Sequence, residues 1–313
     1  MTNICNIIPD FCSPVVREKI LRLYNNLKKH GLLPHGIELE QNNFDEKNNN
    51  LFFVTYDKNT EQELRKLMYE IDFKKRQIVI ISNDYEDYFD FAMEYNICNI
   101  IHITNLNEDV LLGIFKKIFE KKIGLKFFFE HRKNIFDKKY SISGDICMHG
   151  LVNNTFTDFM GKIPSAARST FIINCHELIT NAIAYGVLGI TVHARDKKAY
   201  DIGSFANVNI PEGKDVKVHL MMNEKFYGIS VKDRGGSLTI QRVLERIRRQ
   251  SVVAGETVPQ GIEDYTGRGL AILSHHGLLN FSLKIGKFTE VSLVSQIKTN
   301  FGKKPISILA TEF

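Results

Sequence analysis

The sequence predicts an α/β protein in two parts, on three observations. Short apolar runs alternate with amphipathic stretches over residues 1–121, the rhythm of a parallel sheet with crossover helices. Further on, an apolar helical run carries Glu177 and Asn181 at i and i+4, so their side chains share a face. Downstream, an alternating strand runs into Asp233 and a glycine pair, and a glycine-flanked Arg268 opens a second apolar helical run.

In the first part, strands are expected at 4–8, 36–39, 51–56, 77–82 and 98–102, with helices at 14–29, 60–71, 85–95 and 107–119. That succession resembles a response-regulator receiver, a doubly wound, flavodoxin-like sheet whose chemistry gathers at the strand carboxyl ends. The resemblance puts Asp57, after the third strand, where the family's phosphoacceptor lies, and Ser82 where it has a switch hydroxyl. The match is degenerate. The first strand ends Ile7-Ile8-Pro9-Asp10 without a pair of adjacent acids, and the fifth ends at His102 without the family's Lys. Asp57 then lacks two charge-stabilising supports and reads as an ordinary strand-end Asp before a turn rather than as a phosphoacceptor.

Residues 122–164 read as a connector. Phe127, Phe128 and Phe129 form an aromatic cluster of the kind that packs on a domain or a dimer mate. His131 has none of the sequence surroundings of a sensor-kinase phosphoacceptor and reads as a surface histidine, as do His149, His275 and His276. Pro164 is expected to lead into the next helix.

The helix holding Glu177 and Asn181 has two readings. One is an exposed polar face; the other is a site where the amide oxygen ligates a hard cation while the carboxylate polarises a nucleophile. Asp233 at its strand end, beside Gly235 and Gly236, can accept a hydrogen bond from an exocyclic amine such as adenine's. Gly267-Arg268-Gly269-Leu270 opens a helix, where backbone N–H groups suit phosphate.

In this order the three segments resemble the N, G1 and G2 boxes of the GHKL ATP-binding superfamily, over roughly residues 165–297. The wording is most similar to its anti-sigma-factor serine kinase branch. The resemblance implies an α/β sandwich, a mixed sheet with helices on one face, over residues 165–313. It implies ATP and Mg²⁺ as cofactors, with Asn181 ligating Mg²⁺ and Glu177 acting as base or orienting group. Asp233 would read the adenine amine, Gly235 and Gly236 would let the base approach, and Gly267, Arg268, Gly269 and Leu270 would wrap the phosphates. Thr289 stands where the family often has a threonine that helps to hold adenine. Two departures are visible: Asp233-Arg234-Gly235-Gly236-Ser237 replaces the commoner Asp-x-Gly-x-Gly, and residues 239–266 form a longer, basic lid.

Within that lid, Ile240, Val243, Leu244 and Ile247 make an apolar stripe surrounded by Arg242, Arg246, Arg248 and Arg249. The helix is either solvated and docked on the sheet, or it brings one of these arginines, or Arg268, to the γ-phosphate. The sequence does not choose among them.

At 313 residues, 43% hydrophobic and 25% charged, the chain has the composition of a globular protein large enough for two cores. A net charge of +5 without a dense basic arm does not call for nucleic acid as a partner. Five scattered cysteines without a Cys-x-x-Cys read as reduced thiols, and no signal-peptide pattern or spanning stretch is seen, so a cytoplasmic protein is expected. The leading expectation is an ATP-dependent serine/threonine protein kinase of anti-sigma-factor type with a receiver-like regulatory part. Its partner would be a regulator of anti-anti-sigma or sigma-factor type, and the family implies a homodimer. A non-catalytic ATP-sensing module and a histidine-kinase-like phosphorelay protein are the alternatives.

Overall fold

The computed structural model describes residues 3–7, 12–41, 49–70, 77–83, 88–190, 207–252, 258–261, 268–297 and 305–313. The chain is α/β, built on one large mixed sheet. Strands β1 (Asn3–Ile7), β2 (Ile37–Gln41), β3 (Asn49–Thr55), β4 (Gln77–Ser82) and β5 (Ile100–His102) run parallel in the order β2-β1-β3-β4-β5. Both faces of this half are apolar, because helices cover both. On one face Phe52, Val54, Ile78 and Ile80 meet α2 (Glu61–Glu70) and α3 (Tyr88–Glu94). On the other, Leu51, Phe53, Val79 and Ile81 meet α1 (Pro14–Lys29) and α4 (Glu108–Phe119). The helix starts follow ordinary capping chemistry: Ser13 Oγ accepts from Val16 N at 3.4 Å ahead of Pro14, and Asn107 Oδ1 accepts from Val110 N at 3.0 Å.

The remaining strands extend the same sheet. These are β6 (Phe136–Ile142), β9 (Val216–Met222), β10 (Phe226–Asp233), β11 (Leu278–Lys284), β12 (Phe288–Gln296) and β13 (Ser307–Glu312). Their order onward from β5 is β13-β11-β12-β10-β9-β6, antiparallel except for β11 with β13. A separate ribbon pairs β7 (Gly144–Cys147) with β8 (Asn207–Ile210).

The expected division at residues 121 and 164 therefore falls inside a continuous sheet. The C-terminal strand β13 sits between the halves, with Ser307 opposite Ile101 and Ile308 opposite Ile100. Polar side chains finish the join. Asn105 Nδ2 donates to Ser307 Oγ at 2.9 Å and to Pro305 O at 3.0 Å, and Ala310 N donates to Asn99 Oδ1 at 3.0 Å. Residues 122–164, expected to be a connector, supply the edge strand β6 and three short helices: α5 (Lys126–Phe129), α6 (Leu151–Thr155) and α7 (Thr157–Met160).

The described helices of residues 165–313 share one face of the second half. One face carries α8 (Ser165–Asn181), α9 (Ile240–Arg249) and α10 (Arg268–Ser274). The opposite face is closed by α4 and α5, whose Phe127, Phe128 and Phe129 pack with Phe226, Leu278, Val294 and Leu309. The physical reason is that α4 is apolar around most of its circumference, so it can cover strands from both halves at once. Gly228 of β10 admits this layer: a Cβ there would lie 2.6 Å from the Phe129 ring and 2.8 Å from Leu125.

Lys117 of α4 is fully buried in this layer, its Nζ donating to Phe281 O at 2.9 Å. His131 is also half-buried rather than a surface group, and burial with Arg132 and Lys116 nearby pushes its pKa down to about 4. The four cysteines described are free thiols, three of them buried. Among the described residues no helix is long and apolar enough to cross a membrane.

Candidate functional site

The helix α8 docks on the sheet through Phe171, Cys175, Leu178 and Ile179. A buried polar clamp fixes its rotation. Asn174 Nδ2 donates to the Tyr227 hydroxyl at 3.2 Å, and Asn174 Oδ1 faces His276 Nδ1 at 2.6 Å. At its end the helix widens into a π-helical segment, Ala182–Val187, where Leu188 N donates to Ile183 O at 2.9 Å. Such widenings shift side chains relative to an α-helix and occur often at functional sites. Here the wide turn carries Tyr185 and Gly186 to the carboxyl end of β10.

A cavity of about 480 Å³ opens at that point. Its floor is the sheet, with Val231 and Asp233 from β10 and Thr289 and Val291 from β12. Asp233 and Thr289 are direct cross-strand partners and both are buried. One wall is Leu178, Asn181, Ala182, Tyr185 and Gly186, and another is Gly269 and Leu270 of α10. Ser237, Leu238, Arg242, Glu245 and Arg246 complete the rim. The lining is mainly apolar with a few placed polar groups, the usual make-up of a small-molecule site.

Asp233 is the electrostatic centre of this cavity. Its Oδ1 accepts from Gly235 N at 2.8 Å, which fixes the carboxylate at the strand end. Burial pushes its pKa up to about 6, against a smaller downward pull from the N–H groups of Gly235 and Gly236. The backbone around it interlocks. A Cβ on Gly186 would collide with the Asp233 carboxyl group and lie 2.6 Å from Asp233 Cβ. A Cβ on Gly235 would lie 2.6 Å from Gly186 Cα. Gly236 has φ +55° and packs on the β11–β12 turn, where Gly286 N donates to Gly236 O at 3.0 Å.

The sequence-expected site residues thus divide. Asn181, Asp233, Gly269, Leu270 and Thr289 line one cavity. Gly235 and Gly236 shape the turn beneath it. Glu177 is half-buried and does not border the cavity; its carboxylate lies against Gly269, where a Cβ would meet both Glu177 and Asn181. Gly269 therefore serves a close approach of α10 to α8. Arg268 heads α10 on its exposed side, away from the cavity lining. Gly267 lies outside the described residues. Sequence reasoning did not single out Gly186, Val231, Leu238, Glu245 or Val291. The Tyr185-Gly186 dipeptide beside the helix was the available signal for the first of these.

In the first half, Asp57 is exposed and accepts from Asn59 N at 2.9 Å, capping the short turn Lys58–Thr60. Ser82 is buried, and His102 is buried with Nδ1 2.7 Å from Thr104 Oγ1. Asp10 lies outside the described residues. No group of three or more His, Cys, Asp or Glu side chains is arranged for a metal among the described residues. Comparison with known proteins closes the description: no protein-family model matches the chain, and no curated protein matches it in sequence.

Proposed function

We propose that this chain is a signalling protein that binds ATP with Mg²⁺ in the cavity above Asp233, in the manner of the GHKL superfamily. One observation carries the reading. Asn181, Asp233, Gly269 and Thr289 are far apart in sequence, were expected to hold a nucleotide, and border the same cavity. The apolar walls suit a base, and a buried carboxylate at the floor suits its exocyclic amine. The antiparallel strands with three helices above them support a GHKL-type unit. The strand order β2-β1-β3-β4-β5 supports a flavodoxin-like first half.

The donor set fits Mg²⁺ that arrives with a polyphosphate. Such an ion keeps most of its shell as water and phosphate oxygen, and needs only one or two protein ligands. Asn181 Oδ1 would be that ligand. The cation would supply neutralisation of phosphate charge. As a serine/threonine kinase, the protein would use Glu177 to accept the proton of the substrate hydroxyl as its oxygen bonds to the γ-phosphorus and the bond to the bridging oxygen breaks.

The position of Glu177 against Gly269, outside the cavity lining, favours a second reading: a nucleotide sensor that holds a protein partner without turnover. A phosphorelay reading has the weaker support, since His131 is half-buried. Labelled ATP separates the two main readings. Acid-stable label on a partner protein, lost in Glu177→Ala, supports the kinase. Tight ATP binding without label on any partner supports the sensor. Absence of any thermal shift with ATP and Mg²⁺ overturns nucleotide binding itself.

A further inference from the structure

We infer that Asn174, Tyr227, Ser295 and His276 close a hydrogen-bond ring that positions the cavity walls and so sets nucleotide affinity from a distance. The inference rests on the nucleotide reading and deepens it.

The ring draws one residue from each of four elements that meet at the cavity, and none of the four borders the cavity itself. Asn174 belongs to α8, Tyr227 to β10 and Ser295 to β12, and His276 follows the last turn of α10. Their bonds connect end to end. Asn174 joins Tyr227 at 3.2 Å and His276 at 2.6 Å. The Tyr227 hydroxyl is also bonded to the Ser295 side chain, and Ser295 Oγ lies 2.8 Å from His276 O.

One group sets every direction in the ring. The His276 carbonyl only accepts, so Ser295 donates its single hydrogen there and accepts from the Tyr227 hydroxyl. The Tyr227 oxygen then accepts from Asn174 Nδ2, and Asn174 Oδ1 accepts from His276 Nδ1, which carries the hydrogen. Asn174, Tyr227 and Ser295 are buried. In such surroundings a closed circuit strengthens each bond, and an opened one leaves buried groups unpaired.

The helix needs this unit because burial alone does not choose its rotation. Phe171, Cys175, Leu178 and Ile179 of α8 face the core, yet Ile172 is only partly covered and Ile173 is 47% exposed. An apolar circumference of that kind can dock in more than one rotation, whereas a buried Asn with fixed partners accepts one. The ring also holds the far end of α10, whose near end is set by Gly269 against Glu177 and Asn181. Asn174 and Asn181 are seven residues apart, about 10 Å along the helix. A roll of α8 released at the ring would therefore reach Asn181 and the wide turn at Tyr185, with every lining side chain intact.

Calorimetry of the full chain with ATP and Mg²⁺, at a temperature where every variant is folded, tests this. The variants are Tyr227→Phe, Ser295→Ala and their double, with Tyr140→Phe as a control that removes a hydroxyl packed on the same core outside the ring. Each ring variant should weaken ATP by about three- to tenfold, the contribution of one hydrogen bond. The double variant should lose no more than either single one, since a ring opens only once. Tyr140→Phe should bind like wild type. Unchanged ATP affinity in both ring variants overturns the positioning role, even where their melting temperatures fall. Losses that multiply in the double variant also overturn the ring, because they mark two separate contacts. Backbone hydrogen exchange over residues 178–187 needs no ligand and keeps the two readings apart. If the wild type binds no ATP, the nucleotide reading falls. Faster exchange there in the ring variants than in the control would then still uphold the ring, and unchanged exchange would overturn it too.

Discussion

Gly186 leaves Asp233 the space it occupies: a side chain on Gly186 would overlap the Asp233 carboxyl group and crowd its Cβ. A π-helical turn and a strand end thus meet with no room for a methyl group. Because Asp233 Cβ is itself within 2.6 Å of the added atom, rotating the carboxylate does not relieve the clash. Gly186→Ala should lower stability by about 1–3 kcal/mol, an overpacking effect, and weaken adenine-nucleotide binding. Denaturant melts and calorimetry would measure the two effects.

The raised pKa of Asp233 has consequences of definite sign. In the free protein the carboxyl is at about 6, above its ordinary value of 3.8. Between these values the folded state holds a proton that the unfolded chain has lost, so this group's contribution falls as pH rises from about 4 to 6. Asp233→Asn should therefore stabilise the free protein at pH 7 by about 1–3 kcal/mol. It should also weaken the nucleotide, because the amide can turn a donor toward the exocyclic amine. In wild type, affinity should drop as pH falls through about 6, and Asp233→Asn should flatten that profile.

Lys117 titrates in the opposite sense. Burial lowers its pKa to about 7, from 10.5, with Cys98 and Glu290 pulling it weakly back. Across that window the unfolded chain binds the proton more readily than the fold, so stability should rise with pH above 7 and lose that contribution as pH falls to 7. Lys117→Met should remove the slope between pH 7 and 9. It should also be about 1–4 kcal/mol more stable at pH 7, as apolar replacements of buried charges often are. A lower melting temperature for this variant at pH 7 would show that the bond to Phe281 O outweighs the burial of the charge.

The continuous sheet predicts one unfolding transition for the whole chain. Leu309 of β13 is fully buried in the core formed by α1, α4 and α5. Leu309→Ala should cost about 2–5 kcal/mol and shift that single transition, with probes in either half moving together. Two separated transitions would mean that the halves unfold independently despite the β5–β13 join.

The parallel strands, their crossover helices and the residues around Asp233 were legible because each is encoded locally. Apolar periodicity marks an element, and Asp233-Arg234-Gly235-Gly236 marks a turn. The expected strand over residues 77–82 coincides with β4, and the others agree within a few residues. Within the site, Asn181, Asp233, Gly269, Leu270 and Thr289 were named from sequence and border one cavity.

What the sequence by itself determined was therefore an α/β chain, its element types, and a short set of residues that would have to meet if a ligand were held. Tertiary structure alone decided that β13 returns to join two halves into one sheet, because pairing over some two hundred residues leaves no local trace. It also decided that α4 and α5 cover the second face, since an apolar helix does not say which strands it will bury. The same holds for the arginines of α9. Four stand in one short helix, and only the docking of Val243, Leu244 and Ile247 on the sheet turns Arg242 and Arg246 to the cavity, Arg248 to Asp90 and Arg249 to an exposed side.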